Sequence, residues 1–126
     1  MIPSPGHRQW PEHRIAEQRL TQRMKAAVDG EIVADSTDVI RVKEDGSPER
    51  YYFPRADVRM EQLTRTDTTT TCPFKGVAHY YSLSAAGQHF GDAVWTYEDP
   101  YLEHADLKDR LAFYDDKYPD IEVGPA

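Results

Sequence analysis

The stretch "TTTTCPFKGVAHYYSL", Thr68 to Leu83, holds the chain's only cysteine together with a lysine, a histidine and two tyrosines. Cys72 is a nucleophile if a neighbouring cation or base lowers its thiol pKa, and Lys75 and His79 are the nearest partners along the chain. An extended segment advances ~3.3 Å per residue, so Cys72 and His79 meet only if the chain folds back across Pro73 to Gly76. A lone cysteine also packs well as a small apolar side chain, which needs no partner at all. Anion binding is the other chemistry on offer. Lys75 supplies a mobile cation, Gly76 an open backbone N–H, and Thr70 and Thr71 hydroxyls beside the same turn. The plain alternative is a connection: threonines run in as extended chain, Cys-Pro-Phe-Lys turns, and Gly76 takes up any positive φ before the next strand.

The aromatic side chains strengthen the binding reading. Tyr51, Tyr52, Phe53, Tyr80, Tyr81, Trp95, Tyr97 and Tyr101 each pack acceptably in a core, but Tyr and Trp carry a polar handle that suits a pocket with one wet end. The expectation is a pocket walled by Tyr52, Tyr80, Trp95 and Tyr97, with Lys75 as anchor, Gly76 and Thr71 beside it, and Asp57 orienting the lysine or a ligand amine. Its ligand would be a small anionic or amphipathic molecule. Two alternatives stand beside it: an enzyme using Cys72 with His79 or Lys75 assisting, and a protein-interaction module with exposed rings. A small ligand requires concavity, a protein partner a contiguous apolar patch.

Metal and cofactor chemistry find little support. His7, His13, His79, His89 and His104 show no HxH or HExxH spacing, and a single cysteine allows neither an internal disulfide nor a Cys-rich zinc knuckle. We expect no metal and no cofactor. Fifteen Lys and Arg against 22 Asp and Glu leave a net charge of -7, which repels a phosphate backbone, so no nucleic-acid partner is expected. The best basic stretch, "RIAEQRLTQRMK", is interrupted by a glutamate. No apolar run approaches the ~20 residues of a membrane span, and the N-terminus lacks the apolar centre of an export signal. A cytoplasmic protein with no membrane partner follows as the expectation.

The elements that must position these residues are mainly strands. At 126 residues the chain is one domain's worth. Residues 1–11, rich in proline and without hydrophobic period, are expected to be a flexible extension, leaving residues 12–126 as a single β-rich domain. "EHRIAEQRLTQRMKAAV" is ambiguous: Ala16, Leu20, Met24 and Ala27 have helical spacing, while Met24, Ala26 and Val28 alternate as a strand does. Asp29-Gly30 is a hairpin signal, so 22–28 and 31–36 are read as paired strands. "DVIRVKE" and "RYYFP" flank Asp45-Gly46 and Pro48 and make a second hairpin. "ADVRMEQLTRT" opens as a helical turn and then runs extended. From Val77 to Leu83 strict alternation puts Val77, His79, Tyr81 and Leu83 on one face, and Ala78, Tyr80 and Ser82 on the other. Ala93, Trp95 and Tyr97 share a face of the next strand. Asp99 before Pro100 predicts a helix over 100–108, and "RLAFY" a last strand.

Taken in order, "VDGEIVADS", "YYFPRADV", "TTTTCPFKGVAHYYSL", "AVWTYEDP" and "LAFYDDK" resemble the domain-of-unknown-function family numbered four-two-seven, to which the label nucleotidyltransferase has been attached. The resemblance runs from about His13 to about Lys117. It implies a compact antiparallel β-tent-like domain, with one or two short helices and sheets leaning together over a pocket, and it favours a strand over 22–28. It implies no established reaction. Relatives of the tent fold include zinc-bearing modules with paired CxxC motifs and a ligand-binding aromatic cage, but this chain has no CxxC. A nucleotidyltransferase needs carboxylates for Mg²⁺ and glycine-rich backbone for phosphates; Asp35, Asp38 and Asp57 are scattered, and no such glycine motif is present.

Overall fold

Turn chemistry sets the first half of the fold. Asp29 and Gly30 both take positive φ (47° and 81°), the conformation a tight hairpin needs, and they join β2 (Met24–Val28) to β3 (Glu31–Ser36). The second expected hairpin is also present, β4 (Ile40–Glu44) with β5 (Arg50–Tyr52). This computed structural model describes residues 1–126 and is mainly β, with ten strands in three antiparallel sheets that do not close into a barrel. Helical content is confined to α1 (Pro5–Gln9) and three short 3-10 segments.

β1 (Ile15–Arg19) pairs with β4, so the helical spacing around Ala16 and Leu20 does not decide this segment. Its half-buried positions are Ile15 and Glu17, a two-residue period, and the open edge of β4 outweighs a weak local propensity. The longest strands are β6 (Leu63–Cys72), β7 (Gly76–Ala85) and β8 (Gln88–Tyr97), followed by the short β9 (Leu111–Phe113). β10 (Ile121–Pro125), which nothing in the sequence announced, pairs with β2 at a sheet edge, where a terminal proline removes no needed donor.

The sheets are ordered β1-β4-β5, β10-β2-β3 and β6-β7-β8-β9. The four-stranded sheet is central: Tyr81, Leu83, Leu111 and Phe113 face one apolar cluster shared with β2, β3 and β10. Ala78, Trp95, Tyr97 and Ala112 face a second cluster shared with Ile40, Val42 and Tyr52. Alternation therefore holds through Tyr81 on β7. On β8 it fails for Ala93, which joins Val94 in the first cluster because the ladder shifts register between Tyr81 and Leu83 and Asp92 takes positive φ.

Two further expectations change. The helix read over 100–108 is a 3-10 segment, Leu102–Leu107, interrupted at His104, and Asp99 does not cap it. The Tyr101 N–H donates instead to Lys75 O (3.0 Å) and the Leu102 N–H to Ile2 O (2.8 Å), contacts that hold the start of the segment against other parts of the chain. Residues 1–11, expected to be a flexible extension, carry α1 and bury Ser4 and Gly6 against the body. Arg110 is buried and donates to the carbonyls of Asp106, Asp38 and Tyr52, fixing the ends of β4 and β5 relative to β9.

Candidate functional site

A cavity of about 180 Å³ lies between the β4–β5 hairpin and the β7–β8 pair. Its walls come from alternate positions on paired strands: Val42 and Glu44 on β4, Arg50 and Tyr52 on β5, Trp95 and Tyr97 on β8, with Tyr80 from β7, Tyr114, Ser47 and Pro48. Lys75, from the turn between β6 and β7, completes the lining. Period two explains this convergence, because Val42 pairs with Arg50 and Ile40 with Tyr52, so both strands present every second side chain inward.

The polar groups are arranged as donors around apolar rings. Lys75 is only 6% exposed, and its ammonium donates to Glu44 Oε1 at 2.5 Å. Glu44 Oε2 takes a second bond from His13 Nε2 at 2.9 Å. Burial by itself would raise the Glu44 carboxyl, but the hydrogen bonds and charges of Lys75 and His13 outweigh it and hold the pKa below its ordinary value. Trp95 Nε1–H donates to the Tyr52 hydroxyl at 3.1 Å, which leaves the tyrosine's own proton free to donate. Burial pushes the phenol pKa of Tyr52 up, the Trp95 bond opposing it; burial, with Tyr52 and Cys72 nearby, raises that of Tyr97. Both phenols are neutral donors throughout the physiological range.

Arg50 is the second cation. Its guanidinium lies 5.0 Å from the Trp95 ring centroid and 5.2 Å from that of Tyr114, and Nη1 donates to Asp116 at 2.7 Å. Each cation at the cavity thus has a carboxylate partner.

Lys75, Tyr52, Tyr80, Trp95 and Tyr97, all expected in the pocket, line this one cavity. Gly76 and His79 instead border a separate hollow of about 390 Å³ with Val77, Asp99 and Tyr101. Thr71 is exposed on β6, and the hydroxyl that reaches the cavity wall is that of Thr70, 3.0 Å from the Tyr80 hydroxyl. Asp57 sits on a 3-10 turn over β3, accepts from Ser36 Oγ at 2.7 Å and is not among the residues lining the cavity. Glu44 makes the contact with Lys75 that was expected of Asp57.

The cysteine and histidine are not brought together. Cys72 is half-buried against the second cluster, while His79 faces Arg65 (3.0 Å) and Glu98 (3.6 Å). A thiol packed among rings is expected to react with a small disulfide reagent at least about tenfold more slowly in the native protein than in urea, and native and unfolded rates that coincide would return the Cys72 reading to consideration. The scattered aspartates are likewise engaged: Asp35 with Arg23 at 2.6 and 2.8 Å, Asp38 with Arg19 and Arg110. No group of three or more His, Cys, Asp or Glu side chains is arranged to hold a metal ion. No helix is long and apolar enough to cross a membrane.

Arg50, Glu44 and Tyr114 were not expected at the site. For Arg50 and Glu44 the signal was available: once Tyr52 is placed inward, Arg50 two residues before it shares its face, and the antiparallel partner strand brings Val42 and Glu44. Tyr114 follows β9 in a turn, where no period applies. Comparison with curated proteins gives no match. The family model NTP_transf_9, described as a domain of unknown function (DUF427), matches residues 16–124, and the chain belongs to that family.

Proposed function

We propose that this domain binds a small, singly charged acid with a planar apolar body in the cavity between the β4–β5 hairpin and β7–β8. The observation that carries the reading is a buried lysine lining an aromatic cavity with only one of its three N–H donors engaged in a hydrogen bond. Holding an ammonium out of water costs several kcal/mol unless it is compensated, and a structural ion pair needs no cavity beside it. Lys75 faces Glu44, and Arg50 faces both Asp116 and, at 3.6 Å, Asp115, so the site offers unused N–H donors rather than a net positive charge, which suits one negative charge better than several. The Tyr52 and Tyr97 hydroxyls add neutral donors for an oxygen, and the rings of Trp95 and Tyr80 a surface for an apolar body.

A nucleotide fits this reading poorly. A cavity of about 180 Å³ is smaller than the ~300–1,000 Å³ typical of drug-sized ligands. Of the aspartates a nucleotidyltransferase would use, Asp35 and Asp38 are paired with arginines elsewhere and Asp57 accepts from Ser36.

Trp95 makes the proposal measurable. In a Trp10→Phe background its emission should respond to benzoate, more weakly to inorganic phosphate, and least to benzamide. Lys75→Met should weaken benzoate by about 1.5–3 kcal/mol, the scale of a charge-assisted hydrogen bond, and leave benzamide nearly unchanged. Equal affinity of the variant for benzoate, or no response to any probe at millimolar concentration, would remove the cavity from consideration as an acid site.

A further inference from the structure

The turn that presents Lys75 is itself held down by the N-terminal segment. The Gly6 N–H donates to Pro73 O at 2.8 Å, and a Cβ at position 6 would meet that oxygen at 2.6 Å and the Phe74 ring at 2.8 Å, so only glycine allows so close an approach. Phe74 is enclosed by three rings of the segment: His13 stacked at 4.3 Å between centroids, His7 edge-on at 4.9 Å and Trp10 at 6.0 Å. Lys75 follows directly in sequence, and its partner Glu44 is the group that His13 grips.

The leading half of the segment hangs on a pair of imidazoles. His7 Nε2 and His104 Nε2 are 2.8 Å apart, and His104 Nδ1 faces Glu17 Oε2 at 2.5 Å. In the neutral pair His104 Nδ1–H donates to Glu17, and its Nε2 accepts from His7 Nε2–H. One added proton keeps a donor opposite an acceptor, but two put N–H against N–H and charge against charge. The groups facing His7 are His104 and Glu103 from the 3-10 segment, His13 from its own segment and Glu44 from β4. Burial, with His104 and His13, lowers the His7 pKa below 6.5 against the opposing pull of Glu103 and Glu44. Docking that depends on the pair keeping one neutral ring is complete above that ordinary value and is lost as pH falls through the lowered His7 one.

We propose that residues 1–13 form a strap that positions Lys75 through Phe74 and Glu44, and that its leading half is released when the His7–His104 pair takes up a second proton. His13 bonds a carboxylate, Glu44, rather than a second imidazole, so release begins at the His7 end. Phe74 and His13 are positioning residues, and the consequence for ligand rests on the reading of Lys75 as its anchor.

The strap and the anchor can be read without any ligand. In a Trp95→Phe background, Trp10 is the only indole, and its emission should shift toward that of exposed tryptophan as pH falls from 8 to 5. His7→Phe, which keeps a ring on Phe74 but takes no proton, should flatten that profile, and His7→Arg should give the released signal already at pH 8. At pH 7.5, acetylation of Lys75 followed by peptide mass spectrometry should run about tenfold faster in His7→Arg than in the parent, with Lys25, Lys43, Lys108 and Lys117 as unchanged references. A Trp10 signal flat in the parent, or unchanged by His7→Phe, overturns the proton release. Equal Lys75 acetylation in a variant whose Trp10 is released overturns the positioning role. Neither readout uses benzoate, so a failure of acid binding is scored separately.

Discussion

Phe53→Ala is expected to lower the unfolding free energy by about 3–5 kcal/mol, the range for deleting a fully buried aromatic side chain. Phe53 has no exposed surface and meets Phe113 edge to face at 5.7 Å between centroids. Its backbone exchanges both hydrogen bonds with Leu111, at 2.8 and 2.9 Å, which joins the β1-β4-β5 sheet to the four-stranded sheet. Tyr52, one residue earlier, points to the opposite side and lines the cavity. A hole at Phe53 therefore loosens the seam on which the site is mounted. Urea denaturation followed by tryptophan emission measures the loss, with the exposed Val77→Ala as a reference expected to stay within about 0.5 kcal/mol. A loss for Phe53→Ala no larger than that reference would mean that the two sheets are held together elsewhere.

Tyr52 and Phe53 also show what was legible in the sequence. Turn residues and two-residue alternation are local signals, and they located the two hairpins and the β7 strand; side-chain type, not period, singled out Tyr52, Tyr80, Trp95 and Tyr97, which border one cavity. Alternation assigns a face only while the ladder stays in register, and the shift between Tyr81 and Leu83 moved Ala93 to the other cluster. Pairing between distant segments has no local signature. β10 needs only the free edge of β2, and β1 only that of β4, so neither segment carries a pattern strong enough to announce itself.

The buried lysine is legible and its partner is not, for the same reason. Lys75 stands in a conspicuous turn, whereas Glu44 is 31 residues away along the chain and meets it only because the two line the same cavity. Asp57, beside the aromatic motif in sequence, is the tempting substitute. The N-terminal segment defeats a reading by composition: prolines and a glycine argue against a hydrophobic core, but not against docking in which rings cover one phenylalanine and a glycine fits where no side chain can.

Glu44→Gln should therefore cost more than an ordinary surface charge. It leaves the Lys75 ammonium, 8% exposed at the side chain, without its carboxylate, and breaking a buried pair by removing one partner costs ~3–5 kcal/mol. Glu44 retains 18% side-chain exposure, so water offsets part of that, and about 3 kcal/mol at pH 7 is the expected loss. The pH dependence separates charge from shape. The Glu44 pKa is held below 4.5, so its contribution is complete above that value and is lost as pH falls through the lower folded one. The gap between wild type and Glu44→Gln in urea midpoint should persist from pH 7 to 5 and close as the wild-type carboxylate takes its proton. A gap that persists unchanged into that acid range would assign the loss to the amide's fit. A gap that closes, with Lys75→Met costing less in the Glu44→Gln background than in wild type, would assign the loss to the ion pair and make one carboxylate the group that compensates the buried ammonium.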